Sequence, residues 1–194
     1  MSQLLIETNL FEAKINEQDG KLIVSGVLQR AGAKNQNGRV YPRDILQREV
    51  KQYQQLIDER RALGELDHPD SSVVNLQNVS HNVVEIGWEG DDVVGKVEIL
   101  PTPSGNILRE LFKSGIRLGI SSRGMGSVKD GADGLEVQED FNLIAFDFVS
   151  NPSTHGAFLS PVNESVNMEV CNTYCKTEDI IGKIILELGQ EYGV

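Results

Sequence analysis

The chain has 194 residues, 39% hydrophobic and 24% charged, the proportions of a soluble globular protein with one well-cored domain and room for an appended tail. A formal net charge of −11 sets aside nonspecific nucleic-acid binding, which needs basic surface to neutralise phosphates. No apolar run is long enough to span a membrane and the N-terminus carries no secretory signal pattern, so a cytoplasm, or a particle assembled in one, is the expected location.

Lys21 to Leu28, rich in Ile, Val and Leu, reads as a strand, and the polar, glycine-bearing stretch Gly32 to Pro42 as a loop or hairpin turn. Helix is expected from about Pro42 to Ala62, with proline in its first turn and Leu46, Val50, Tyr53 and Ile57 forming one apolar stripe. Strands follow near Asn82 to Trp88 and Asp92 to Leu100, joined by the turn Glu89-Gly90-Asp91. Ser104 is the expected cap of a short helix whose stripe is Ile107, Leu108, Leu111 and Phe112, stopped by Gly115. Ile116 to Ser121 and the run from Phe141 to Val149 complete the strands, separated by a Gly- and Asp-rich turn at Asp130 to Gly134. Many short strands with two packed helices predict an α+β domain on an antiparallel, barrel-like sheet. The expected division is a domain over 1–160, a linker over 161–176 and an amphipathic helix over 177–194, capped by Thr177 and striped by Ile180, Ile181, Ile184, Ile185 and Leu188.

Three segments carry chemistry. In Gly119-Ile120-Ser121-Ser122-Arg123-Gly124-Met125-Gly126, two adjacent hydroxyls end an apolar strand beside a fixed positive charge. A serine nucleophile needs an exposed hydroxyl, a nearby base and N–H groups free to hold an oxyanion. The same residues also make an ordinary strand-to-turn junction. In Leu63-Gly64-Glu65-Leu66-Asp67-His68-Pro69-Asp70, the proline pushes His68 into extended backbone, either as a poised base or as part of a surface turn. His68, His81 and His155 are the only histidines, so candidate bases are few. In the strand Phe141 to Val149, alternation puts Asp147 on a face with Phe141, Leu143, Ala145 and Val149, and both faces are largely apolar. A carboxylate there must be partnered, either by a histidine, as in a serine triad, or by backbone N–H groups of the turn Ser150-Asn151-Pro152-Ser153. An α/β-hydrolase is rejected, because Gly119-Ile120-Ser121-Ser122-Arg123 breaks the Gly-x-Ser-x-Gly elbow and the histidine comes first.

The ordered set of Gly-Glu-Leu-Asp-His-Pro, Gly-Ile-Ser-Ser-Arg-Gly and Phe-Asp-Phe-Val-Ser-Asn-Pro-Ser resembles the prohead (procapsid) maturation proteases of T4-like tailed bacteriophages. The likeness extends to Leu5-Ile6-Glu7-Thr8 and to Asn37-Gly38-Arg39-Val40-Tyr41-Pro42, so it spans about residues 3 to 160. The resemblance implies a serine endopeptidase related in fold to the herpesvirus assemblins. By it His68 is the catalytic histidine, Ser121 the nucleophile with Ser122 as the alternative, and Asp147 the third member with His155 as the alternative. Backbone N–H groups near Ser122 and Arg123 are the expected oxyanion donors. The Arg123 side chain is either a weaker donor, a partner for a substrate glutamate, or half of a structural salt bridge.

The resemblance further implies cleavage of scaffold or core proteins and the major capsid protein inside a prohead in the host cytoplasm. Cleavage after glutamate, with a large aliphatic residue two positions earlier, and activation by self-cleavage are implied as well. Leu5-Ile6-Glu7, Val162-Asn163-Glu164 and Ile185-Leu186-Glu187 fit that pattern, so the tail is expected to be a removable targeting or inhibitory segment cut near Glu164 or Glu187. Self-association stays open. The competing reading is a non-catalytic virion structural protein of related fold. No metal or organic cofactor is called for, and Cys171 and Cys175, in a C-x3-C spacing with no further ligands in sequence reach, read as incidental thiols.

Overall fold

The computed structural model describes residues 3–10, 14–18, 21–69, 71–150 and 162–163, and the chain divides into two compact units, Met1–Pro161 and Val162–Val194. In chain order the first unit carries β1 (Gln3–Leu10), β2 (Lys14–Gln18), β3 (Lys21–Arg30), β4 (Arg39–Val40), α1 (Arg43–Asp58), β5 (Leu63–Glu65), β6 (Val79–Glu89) and β7 (Asp92–Ile99). It continues with α2 (Pro103–Lys113), β8 (Gly119–Gly126), β9 (Val128–Asp130), β10 (Leu135–Val137) and β11 (Asn142–Val149). Of the second unit, the short strand β12 (Val162–Asn163) is described. The expected 177–194 helix, most of the 161–176 linker, His155, both cysteines and the sites at Glu164 and Glu187 lie outside the described residues.

The architecture is α+β and mostly antiparallel. In the larger sheet β2, β3, β7, β6 and β5 neighbour one another in that order, a second sheet has the order β1-β8-β11, and a small one has β4-β10-β9. Only the β10–β4 pair is parallel among these described pairings. The β6–β7 hairpin closes as the sequence suggests: Glu89 pairs with Asp92, and Gly90 at φ +60 supplies the left-handed residue that a two-residue turn requires.

Both helices differ from expectation at one end, for identifiable reasons. The stripe of α1 is buried as predicted, together with Ile45 and Glu49, but the helix stops at Asp58 rather than near Ala62. Arg60 adopts φ +55, and the N–H groups of Arg60 and Arg61 donate back to the carbonyls of Ile57 and Leu56, the Schellman termination. An arginine in the position usually held by glycine left no stop signal in the sequence. Helix α2 is capped two residues before the expected site: Thr102, not Ser104, is the cap, its hydroxyl accepting the Gly105 N–H at 3.0 Å. Pro103, which donates no N–H, occupies the first helical position and so puts the cap at Thr102. At the other end Gly115 (φ +72) closes a second Schellman turn, as the sequence indicates.

The sheet β1-β8-β11 sets the register that matters. Asp147 stands directly opposite Ser121, Phe146 opposite Ser122 and Ala145 opposite Arg123. A bulge between Leu143 and Ala145 inserts Ile144, so the alternation changes phase there. Leu143 pairs with Gly124 and therefore does not share the face of Asp147, contrary to the unbroken alternation read from sequence. The buried Glu49 carboxylate of α1 accepts the Leu143 N–H at 2.8 Å, and Arg48 donates to the Phe141 carbonyl at 2.7 Å, covering the outer edge of β11 where it enters the sheet.

Candidate active site

Ser121 and Asp147 face each other across β8 and β11, and both are fully buried. The third group arrives from a different sheet. Gly64 in β5 lets the backbone approach β11 closely: a Cβ added there would lie 2.0 Å from the Phe146 carbonyl oxygen and 2.2 Å from His81 Nε2. The chain then bridges from Leu66 to Phe148 and donates the Asp67 N–H to the Phe148 carbonyl at 2.8 Å. Asp67 itself is left-handed, at φ +68, and its Oδ1 accepts the His68 N–H at 3.0 Å, the kind of local bond that lets aspartate hold that conformation. This turn, together with Pro69, delivers the imidazole to the serine.

His68 Nε2 lies 2.6 Å from Ser121 Oγ, and His68 Nδ1 lies 3.4 Å from Asp147 Oδ2. The His68 side chain retains 20% exposure, whereas Asp147 retains none. Three of the residues singled out from sequence therefore meet at one place. Ser122 does not join them: on the opposite face of β8, its Oγ accepts from the buried Gln29 of β3 at 2.9 Å.

Of the readings open for Arg123, the side chain takes the buried salt bridge. Its side chain is fully buried, with Nη2 3.0 Å from Glu65 Oε1, Nε 2.9 Å from Asp147 Oδ2, and Nη1 donating to the Ser71 carbonyl at 2.7 Å. The guanidinium is thus committed to structural carboxylates and unavailable to an oxyanion or a substrate glutamate. The backbone N–H groups expected as oxyanion donors near Ser122 and Arg123 lie in β8, the middle strand, paired with β1 on one side and β11 on the other. Asp147 Oδ1 accepts the Glu65 N–H at 3.0 Å, so a backbone partner does exist, supplied by β5. Glu65, quoted within a sequence run but given no role, proves to be the missed member of the cluster. Its signal was a carboxylate in a short Leu-Gly-Glu strand immediately before the histidine turn.

A buried carboxylate, an imidazole and a hydroxyl in series form the constellation that serine hydrolases use, recognised by geometry and not by sequence position. A family model described as prohead core protein serine protease matches residues 2–167, and the chain belongs to that family. It is 32% identical over 188 residues to the prohead core protein protease of Enterobacteria phage T4, covering 86% of this chain and 89% of that one. The solved structure of the bacteriophage T4 capsid assembly protease matches with a TM-score of 0.73 at 31% identity, covering 78% of this chain and 99% of that one.

Proposed function

We propose that this prohead protease is a serine endopeptidase in which Ser121 is the nucleophile, His68 the general base and Asp147 the group that orients the imidazole. The observation that carries the reading is the 2.6 Å contact between His68 Nε2 and Ser121 Oγ, with a buried carboxylate behind the ring. Ser121 Oγ attacks the scissile carbonyl as its proton passes to His68 Nε2. His68 then gives that proton to the leaving amine as the C–N bond breaks, and water admitted to the site hydrolyses the acyl-enzyme by the same relay. Asp147 favours the tautomer with the proton on Nδ1 and stabilises the imidazolium. The 3.4 Å gap from Nδ1 to Oδ2 is of the loose kind that tightens once substrate is bound.

Substrates are scaffold or core proteins and the major capsid protein, cut after glutamate with an aliphatic residue two positions earlier, inside the prohead in the host cytoplasm. Support comes from family membership and from the similarity to the T4 capsid assembly protease. Nucleic acid is not an expected partner of a chain with net charge −11. Self-cleavage is directed at the tail, near Glu164 or Glu187. The third match to the pattern, Leu5-Ile6-Glu7, is disfavoured because β1 pairs along its length with β8 and Leu5 is fully buried, so it cannot thread an active site without dismantling the sheet.

The test is a time course of the purified chain by intact-mass spectrometry, with Ser121→Ala alongside and a Leu-x-Glu peptide added. Trimming or peptide cleavage after glutamate in wild type, absent in Ser121→Ala, is the expected result. A Ser121→Ala chain that cleaves like wild type overturns the nucleophile assignment. Silence of both chains, on peptide as well as on themselves, favours the non-catalytic structural alternative.

A further inference from the structure

We infer that Glu65 and Arg123 form a positioning pair for the proposed serine site: Glu65 shares the Arg123 cation with Asp147, leaving Asp147 Oδ2 charged and open toward His68. The inference rests on the protease reading of that site. Its basis is an unequal division of the Asp147 carboxylate. Oδ1 is held from two sides, by the Glu65 N–H at 3.0 Å and Arg123 Nη2 at 3.2 Å. Oδ2 has two charged neighbours, Arg123 Nε at 2.9 Å and His68 Nδ1 at 3.4 Å, yet neither N–H is aimed along the line to it. His68 Nδ1 and Asp147 Oδ2 are therefore a buried donor and acceptor facing one another without an aligned hydrogen bond among the described residues. That arrangement is costly at rest, and the attraction of Nδ1–H to Oδ2 becomes charge-assisted once the imidazole takes a second proton on Nε2.

Charge counting explains why Glu65 is needed. A lone arginine beside Asp147 in a buried site would neutralise it and weaken its hold on an imidazolium. With Glu65 Oε1 at 3.0 Å from the same Nη2, one cation serves two carboxylates, and the cluster keeps a net negative charge for His68 to answer. The pair also fixes both ends of the histidine loop. Glu65 precedes it in β5, while Ser71 and Asn75 follow it: Arg123 Nη1 donates to the Ser71 carbonyl at 2.7 Å, and Glu65 Oε1 accepts the Asn75 N–H at 3.0 Å. His68 is thereby suspended between two anchor points tied to the same guanidinium. Among the described residues, further ionisable groups near the cluster are Asp67 in the loop, Tyr53 of α1 and His81 of β6, the last two fully buried within electrostatic reach of Asp147.

The experiment compares Glu65→Gln and Glu65→Asp with wild type in the full chain, reading kcat and KM on a Leu-x-Glu peptide across pH. It also follows the His68 titration by NMR in the Ser121→Ala background. Glu65→Gln keeps an acceptor for Asn75 but removes the charge. Expected are an unchanged KM, a kcat lowered on the order of tenfold, and an acidic limb of kcat/KM moved to lower pH, because the imidazolium loses part of its stabilisation. Glu65→Asp keeps the charge, so its limb stays near wild type while kcat falls through lost reach. A limb and a His68 titration that stay in place in Glu65→Gln overturn the inference, as does failure of Glu65→Gln to fold while Glu65→Asp folds and keeps wild-type kinetics, which assigns Glu65 to folding alone. If wild type cleaves no peptide, the protease reading fails on its own, and the His68 titration with and without Glu65→Gln still decides whether the charge is shared.

Discussion

The two faces of the β1-β8-β11 sheet use the same residue types to opposite ends. On one face Ser121 meets His68, which keeps an exposed edge and an unfilled hydrogen-bond position beside Asp147. On the other, Ser122 is bound by Gln29, while in β6 of the larger sheet His81 is locked with Nδ1 on Ser80 Oγ at 2.8 Å and Nε2 on the Phe146 carbonyl at 2.9 Å. The His81 ring stands edge-on to Phe148 at 4.7 Å, and Phe148 packs in turn on Phe112 at 5.5 Å. One hydroxyl–imidazole pair is satisfied and inert; the other is left one contact short, in front of a buried charge. The difference teaches that reactivity here is a matter of incomplete satisfaction, and within β8 strand pleating separates the reactive Ser121 from the bound Ser122 by a single residue.

The strongest way to break that comparison is to remove each imidazole in turn. His68→Ala is expected to lower kcat on the order of 10⁶-fold, the scale of losing one member of a cooperating serine–histidine unit. Its thermal stability should change little, since the side chain is part-exposed on a loop. His81 changes should do the reverse, lowering stability while folded protein keeps its rate. Single-turnover peptide cleavage and thermal melts on both variants check this, and a His81 variant that stays fully folded but loses catalysis would erase the distinction.

How much of this was legible in the sequence follows the same division. The His68 turn, the Ser121 strand and Asp147 stood out because each is chemically costly where it sits: a pre-proline histidine, paired hydroxyls, a carboxylate in an apolar strand. Fold class, the β6–β7 hairpin and the stripe of α1 were legible from periodicity and turn chemistry. The partner of Arg123 was not, because Glu65 lies 58 residues away and no local pattern links them. Nor was the bulge at Ile144, beside which Glu49 reaches from a helix 94 residues earlier to hold the Leu143 N–H. Strands β4, β9 and β10 are two or three residues long, too short for any alternation to declare them. The phase of β11, and so which side chains accompany Asp147, is set by tertiary contacts that the strand's own sequence does not contain.

A smaller effect comes through pH. Burial lowers the His81 pKa from about 6.5 to about 4, opposed by the Asp147 charge and by the bond to the Phe146 carbonyl. Above pH 6.5 the ring is neutral in both folded and unfolded chains, and there is no penalty. As pH falls from 6.5 toward 4 the unfolded chain takes up a proton that the folded one refuses, so stability drops; below 4 both are protonated and the loss levels off. At ~1.4 kcal/mol for each pH unit between the two values, the full loss is about 3 kcal/mol. Denaturant melts at pH 7 and pH 4.5 measure it: His81→Gln is expected to start less stable at pH 7 and to lose less on acidification than wild type. An identical acid loss in the two chains would assign the sensitivity to other groups.

The smallest expected effect bears on the adjacent hydroxyls. Ser122→Ala removes the acceptor of a buried Gln29 Nε2–H, a loss of about 1 kcal/mol, and it leaves Ser121, His68 and Asp147 as they are. The denaturant midpoint should shift down by that amount while peptide cleavage by folded protein keeps its rate. Because Ser121 and Ser122 point to opposite faces of one strand, only a local inversion of β8 would let Ser122 reach His68. A Ser122→Ala chain that melts like wild type but no longer cleaves would require that inversion. The same result would unseat Asp147, whose place opposite Ser121 depends on the register of that strand.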